Sequence, residues 1–378
     1  MNRLTAILSA QLNQTALSPE VRAQLTPELL LKLYRLLKRH DLAHVLGNVL
    51  RENHVAISEN LQEKLKKAEM LAMYRCAQQK QALEEIGACF ETAGIVYVPL
   101  KGAILREFYP MESMRTSCDI DILVKEADLD EACRALMAVG YRVEERLYHD
   151  VSLISPTNVH LELHFSVQEN MPEIDAVLCR VWDYAVQEAG CRYALSKEFF
   201  VFQTFAHMSY HFLSGGCGLR ALTDLWVMEH CMGITYLDGE ALLAEGGILD
   251  FARKMTAFTR TCLDEAPTDA HSQRLFAYIL TGGCYGTAEN KIAVKKSAKG
   301  GTVGYVLRRL FLPYATMKTV YPVLERLPIL LPFYWIYRLF SKLFAGRGGR
   351  AVGEIKAAQN ITAAKTEETQ ELRKYLGI

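Results

Sequence analysis

The residues best suited to chemistry in this 378-residue chain are three acids in two short strand-like segments. In Asp119-Ile-Asp121 the carboxylates stand two positions apart, so on a strand they project from one face while Ile120 and Ile122 enter the other. Like charges side by side repel, and a cation between them is the usual remedy. Hard divalent ions such as Mg²⁺ or Mn²⁺ take oxygen ligands and keep positions open for phosphate oxygens. In the segment 159–165, VHLELHF, alternation places His160, Glu162 and His164 on one face and Leu161, Leu163 and Phe165 on the other. If the two segments pair, Glu162 completes a three-carboxylate cluster able to serve two-metal phosphoryl or nucleotidyl transfer. Two other readings compete: a zinc site from His160, Glu162 and His164, which leaves Asp119 and Asp121 unexplained, and a solvated strand edge with no ligand.

Lys101-Gly102 follows a first strand-like run, Ile95-VYVPL. Glycine permits close backbone approach to a ligand, and the N–H groups at a helix start favour an anion. Lys101 and Arg115 are thus candidates to neutralise a triphosphate; each taken alone also reads as a surface cation. His207 and His211 lie one helical turn apart, as do Arg220 and Asp224, a spacing that allows an ion pair. On spacing alone these four suit helix–helix contacts.

The elements that must position these groups change character along the chain. Residues 1–92 read as a helical region, with leucines at 29, 30, 33, 36 and 37 forming an apolar stripe and a long helix over Asn60 to Thr92. Residues 93–170 read as an α/β core: a strand, a short helix, the Asp119 strand, a helix from near Asp128 to a stop at Gly140, then three alternating strands with Pro156-Thr-Asn as a turn. Residues 171–290 return to a mainly helical pattern, and 291–378 form a basic, aromatic helical region. The fold class expected is α+β, a central mixed sheet between large N- and C-terminal helical regions.

Lysine and arginine number 43, balanced by 43 acids, which argues against a generic nucleic-acid-coating protein. The balance is uneven: from Lys291 to Arg350 twelve basic residues face one acid, Glu325. The stretch 303–344 interleaves these charges with aromatics and four prolines, which suits a peripheral membrane surface, another anionic partner, or a basic outer face of packed helices. Its uncharged run from Leu327 to Tyr337 is too short to cross a bilayer, so no transmembrane segment is expected. Ten cysteines without a CxxC pair point to a reducing, cytoplasmic setting.

The order of motifs, VPLKGAILREFYP, then RTSCDIDILV, then a helix ending LMAVGY, then VHLELHF, resembles the uncharacterised nucleotidyltransferase family of the DNA polymerase β-like nucleotidyltransferase superfamily. The resemblance is most specific over Val98 to Phe165. It implies a turn at Lys101-Gly102 holding a nucleoside triphosphate, a metal-binding acidic pair at Asp119 and Asp121, and a third acid at Glu162. Where the superfamily usually carries Gly-Ser, this chain carries Lys-Gly. The function expected is Mg²⁺-dependent transfer of a nucleoside monophosphate to an unknown acceptor, small molecule, RNA or protein, with release of pyrophosphate. The alternative from another class is a catalytically silent nucleotide- or metal-binding module that recruits a partner or membrane.

Overall fold

Five helices open the chain: α1 (Asn2–Asn13), α2 (Pro19–Ala23), α3 (Pro27–Arg39), α4 (Ala43–Glu52) and α5 (Glu59–Ala93). Their starts follow from their caps. The side-chain oxygens of Ser18, Thr26 and Ser58 accept from the backbone N–H of Val21, Leu29 and Leu61, satisfying donors that a helix start leaves open. On α3 the leucine stripe buries Leu30, Leu33 and Leu37. Helix α5 ends where Gly94 takes a left-handed conformation, φ 69°, that a side chain would disfavour. The computed structural model describes residues 2–147, 149–264, 266–284, 286–287, 290–291, 311–314, 317–318, 321–344 and 363–378.

The sheet begins after that stop with β1 (Tyr97–Pro99) and continues through α6 (Lys101–Phe108), β2 (Asp119–Val124), α7 (Leu129–Ala138), β3 (Arg142–Arg146), β4 (Asp150–Ile154) and β5 (His160–His164). Asp128 occupies the N-cap position of α7 without a side-chain cap bond, and Gly140, φ 97°, follows its end. At the β4–β5 turn the Ser155 hydroxyl accepts from the N–H of Thr157 and Val159, and Asn158 supplies the positive φ, 61°.

Beyond residue 171 the expected mainly helical pattern is interrupted by two strands. After α8 (Pro172–Leu178), β6 (Ala185–Ala189) and β7 (Arg192–Leu195) form a hairpin, and β7 adds parallel to β1. The result is a seven-stranded mixed sheet in the order β3-β4-β5-β2-β1-β7-β6, so the chain is α+β with helical regions on either side of the sheet in sequence. Then come α9 (Lys197–Leu213), α10 (Leu219–His230), α11 (Glu240–Glu245), α12 (Leu249–Leu263), α13 (Ala270–Gly282), α14 (Val323–Arg326), α15 (Leu331–Phe344) and α16 (Ala363–Leu376).

One face of the sheet buries Ile120, Ile122, Leu161 and Leu163 against Ile86 and Phe90 of α5 and Leu136 of α7. A larger core joins leucines of α1, α3 and α4 to Phe199, Phe202, Phe205 and Phe212 of α9 and to α12 and α13. The 1–92 and 171–290 regions thus share one core. Residues 303–310 of the basic aromatic stretch lie outside the described residues. In its described part Phe311, Ile329, Phe333, Ile336 and Tyr337 are exposed, and no described helix is long and apolar enough to cross a membrane. All ten cysteines are free thiols.

Candidate functional site

The acids meet because β2 and β5 lie side by side and parallel, in a register that sets Asp119 opposite His160, Asp121 opposite Glu162 and Leu123 opposite His164. Odd-numbered β2 residues and even-numbered β5 residues then share the face opposite the apolar core. That face borders a cleft of about 400 Å³, walled on the far side by α9 and α10 and lined by Lys101, Gly102, Arg115, Asp119, Asp121 and Glu162 among others. The six residues that the sequence assigns to the metal and the triphosphate therefore border one cavity.

The loop leading into β2 is fixed from below. The buried Arg106 guanidinium donates from Nη2 to Gln79 Oε1 at 2.5 Å and to Ser117 Oγ at 2.7 Å, and from Nε to the Arg115 carbonyl at 3.1 Å. Gln79 of α5 in turn donates to the carbonyls of Ser117 and Asp119. The β1–α6 turn is clipped to the strand by the Leu100 N–H donating to the Asp121 carbonyl at 2.9 Å.

Electrostatically the acids are unequal. Burial and the neighbouring charges of Asp121 and Glu162 push the Asp119 carboxyl up to about 6. Burial would also raise Asp121, but the His164 hydrogen bond at 3.3 Å, the His164 charge and Lys101 hold it well below the usual carboxylate range. Burial opposes charge on His164; hydrogen bonds and charges from Asp121 and Glu162 outweigh it and raise the imidazole to about 10. Desolvation lowers Lys101 to about 8, partly offset by Glu169 and Asp121.

Two readings that the sequence leaves open are narrowed here. Asp224 receives Arg115, Nε on Oδ1 at 2.8 Å and Nη2 on Oδ2 at 3.0 Å, with the Tyr109 hydroxyl donating to Oδ1 at 2.6 Å. Arg220 donates to the Thr116 carbonyl at 2.7 Å. Arg115 also donates from Nη1 to the Gly102 carbonyl, and a Cβ at Gly102 would lie 3.0 Å from that nitrogen, so glycine here makes room for a side chain of the chain itself. The zinc set is divided as well. His160 is half exposed and lies 3.8 Å from Glu144, whereas His164 and Glu162 group with Asp121.

The far wall holds the His207–His211 pair that helical spacing places together, and an acid, Glu169, that local sequence patterns do not connect to it. His207 and His211 face each other one turn apart on α9, Nε2 to Nε2 at 2.8 Å, and His207 Nδ1 donates to Glu169 Oε1 at 2.7 Å. Burial opposes charge on Glu169, but the His207 hydrogen bond outweighs it and holds the carboxyl below its ordinary range, so it is an acceptor only. His207 Nε2 is then left to accept from the His211 Nε2–H. Burial and His207 lower His211 to about 3, which keeps it neutral. Glu169 sits in a loop 38 residues from His207, and no periodic signal marks it.

The donor set fits a divalent cation. Asp121, Glu162 and His164 offer ligand atoms within 4.8 Å of one another, and Asp119 shares their face with a carboxyl that its neighbours' negative charge holds up. Oxygen-rich donors beside an open cleft suit Mg²⁺ or Mn²⁺.

A mixed sheet presenting three acids from neighbouring parallel strands to a cleft, with a Lys-Gly helix start beside them, fits the class of nucleotidyltransferases. Residues 26–264 match the family model described as uncharacterised nucleotidyltransferase, and the chain belongs to that family. No curated protein and no solved structure matches the chain.

Proposed function

We propose that the chain moves a nucleoside monophosphate from a nucleoside triphosphate to an acceptor hydroxyl, amine or phosphate. The observation that carries this reading is the register of β2 against β5, which aligns Asp119, Asp121 and Glu162 on one face of the cleft that Lys101 also lines. Asp119, Asp121 and Glu162 are the residues to hold Mg²⁺ or Mn²⁺, which when bound neutralises triphosphate charge and activates the acceptor oxygen. Lys101 and the first N–H groups of α6 bind the triphosphate. Arg115, held rigid by Asp224, orients its remaining N–H groups for the same purpose. The acceptor atom forms its bond to the α-phosphorus as the bond to the pyrophosphate oxygen breaks. The proton of a hydroxyl or amine acceptor passes to Glu162, the most exposed acid of the cluster's histidine-paired carboxylates. The wall formed by Glu169, His207 and His211 borders the acceptor.

The test is incubation of the full chain and Mg²⁺ with each labelled nucleoside triphosphate in a lysate, following label transfer and pyrophosphate release. The double substitution Asp119→Ala with Asp121→Ala is expected to lower transfer by about a thousandfold or more, the scale of several kcal/mol of charge stabilisation. Transfer that survives it, or survives removal of divalent ions, rejects the mechanism. Engagement of Arg115 by Asp224 favours the second reading, a nucleotide-binding module without turnover. Calorimetry showing Mg²⁺-dependent nucleotide binding with no pyrophosphate release on any acceptor would select it.

A further inference from the structure

We propose a second cation site on the sheet, formed by His149, Asp150 and His164 and suited to a borderline divalent ion of the zinc class. Asp150 opens β4 directly opposite His164 of β5. His149 precedes it, its ring stacked on that of His164 with centroids 5.7 Å apart. One ligand atom from each residue can be taken so that all three lie within 4.8 Å of one another.

Two buried atoms lack an explanation without an ion. Asp150 is only 3% exposed; its Oδ2 lies 3.1 Å from His149 Nε2, but Oδ1 is buried with no hydrogen-bond partner. His164 Nδ1 is buried and without a partner too. A buried polar atom left unsatisfied costs about 1–3 kcal/mol, so an orphaned carboxylate oxygen and an orphaned ring nitrogen in this cluster favour a shared positive ligand, for which His164 gives up its Nδ1 proton. Two imidazoles and one carboxylate select zinc-class ions over Mg²⁺, which prefers oxygen. Zinc bonds of about 2.0–2.2 Å require the three side chains to draw together. His149 borders the cleft, so a fourth position stays open to water.

The other ring nitrogen of His164 has a role in this arrangement. Nε2 lies 3.3 Å from Asp121 Oδ1 and 3.5 Å from Glu162 Oε2. A metal-bound histidine that donates its second N–H to a carboxylate is held in one tautomer and one orientation. An ion on Nδ1 therefore fixes His164 as a donor to Asp121 and steadies the carboxylates. This consequence rests on the proposed transfer reaction; the site itself does not.

The experiment strips the full-length protein with a chelator, then titrates zinc chloride by calorimetry with metal analysis, and repeats the titration with cobalt(II) to read ligand type. One ion per chain is expected, without the thiolate-to-metal absorption that the free cysteines would give, and undisplaced by millimolar Mg²⁺. His149→Ala and Asp150→Asn are each expected to weaken zinc binding at least tenfold while circular dichroism stays unchanged, and Asp119→Ala to leave it as in the parent. The site is overturned if the parent binds no stoichiometric zinc, if a thiolate spectrum appears, or if folded His149→Ala binds as the parent does. Zinc binding in a protein without nucleotide transfer overturns the proposed function alone, and transfer without zinc binding overturns this site alone.

Discussion

Asp119 and Asp121 stand two residues apart on one strand and titrate in opposite directions because their partners differ. His164 and Lys101 stabilise the Asp121 carboxylate, whereas Asp119 is buried beside two other acids. The pH windows of stability follow from the signs. Asp119 has its folded pKa raised from 3.8 to about 6, so the folded state binds a proton that the unfolded chain has lost, and stability falls as pH rises from about 4 to about 6. Asp121, depressed, contributes stability above 3.8 that is lost as pH falls below it. His164, raised from 6.5 to about 10, contributes stability present below 6.5 and lost as pH climbs to about 10. In chelator the Asp119 proton is therefore expected to oppose the rise in thermal midpoint between pH 4 and 6 that buried His40 and His211, lowered to about 4 and about 3, produce, and Asp119→Asn to steepen that rise. Saturating Mg²⁺ is expected to stabilise the parent more at pH 7 than at pH 5, because the ion competes with the Asp119 proton. An identical slope in parent and Asp119→Asn would show that Asp119 is not the group responsible.

At the scale of elements, the loop before β2 is tied to α10 by Arg115 and Asp224, whose side chains are 8% and 13% exposed. Removing one member of such a pair leaves a buried charge without compensation, so Asp224→Ala is expected to cost about 3–5 kcal/mol in denaturant unfolding. Replacing both with apolar residues, Arg115→Met with Asp224→Leu, is expected to recover most of that loss while still impairing nucleotide binding, since the apolar pair no longer offers a guanidinium to the cleft. Equal destabilisation by the single and double changes would deny the pair its structural role. This tie also marks the limit of what local pattern could disclose. The β2 and β5 acids were legible because strand alternation fixes which side chains share a face, and α5 and α7 because their formers, caps and glycine stops agree. The β6–β7 hairpin was not, since AVQEA and RYAL carry the alanine, glutamate and arginine of a helix and pair only because β1 offers a free edge. Arg220 and Asp224 have the spacing of a helical ion pair, yet tertiary packing brings Arg115 from 109 residues away with a better fork geometry. The contact of Glu169 with His207 likewise exists only once the loop before α8 folds over α9.

For the whole molecule, the decisive feature is that helices from both ends of the chain enter the same core. Leu30, Leu37, Leu46 and Leu50 near the N-terminus share it with Phe202, Phe212 and Phe251 and with Leu372 and Leu376 of α16. Helix α16 is further held by Tyr375, whose ring stacks on His271 and whose carbonyl accepts from Lys254, and by Glu371 paired to Arg274 at 3.0 Å. A cleft wall built from α9 and α10 therefore depends on segments remote from it in sequence. Deleting 363–378 removes two fully buried leucines, each worth about 1.5–3 kcal/mol, and is expected to lower the unfolding midpoint and weaken nucleotide binding together. In the intact chain the shared core predicts that the N-terminal helices cannot melt by themselves. Far-UV circular dichroism, dominated by helices, and the emission of Trp182 and Trp226, read in a Trp335→Phe background to report on the packing around α9 and α10, are expected to trace one coincident transition. Separate transitions, with helix lost before tryptophan emission shifts, would instead make residues 1–92 an independent unit laid against the sheet.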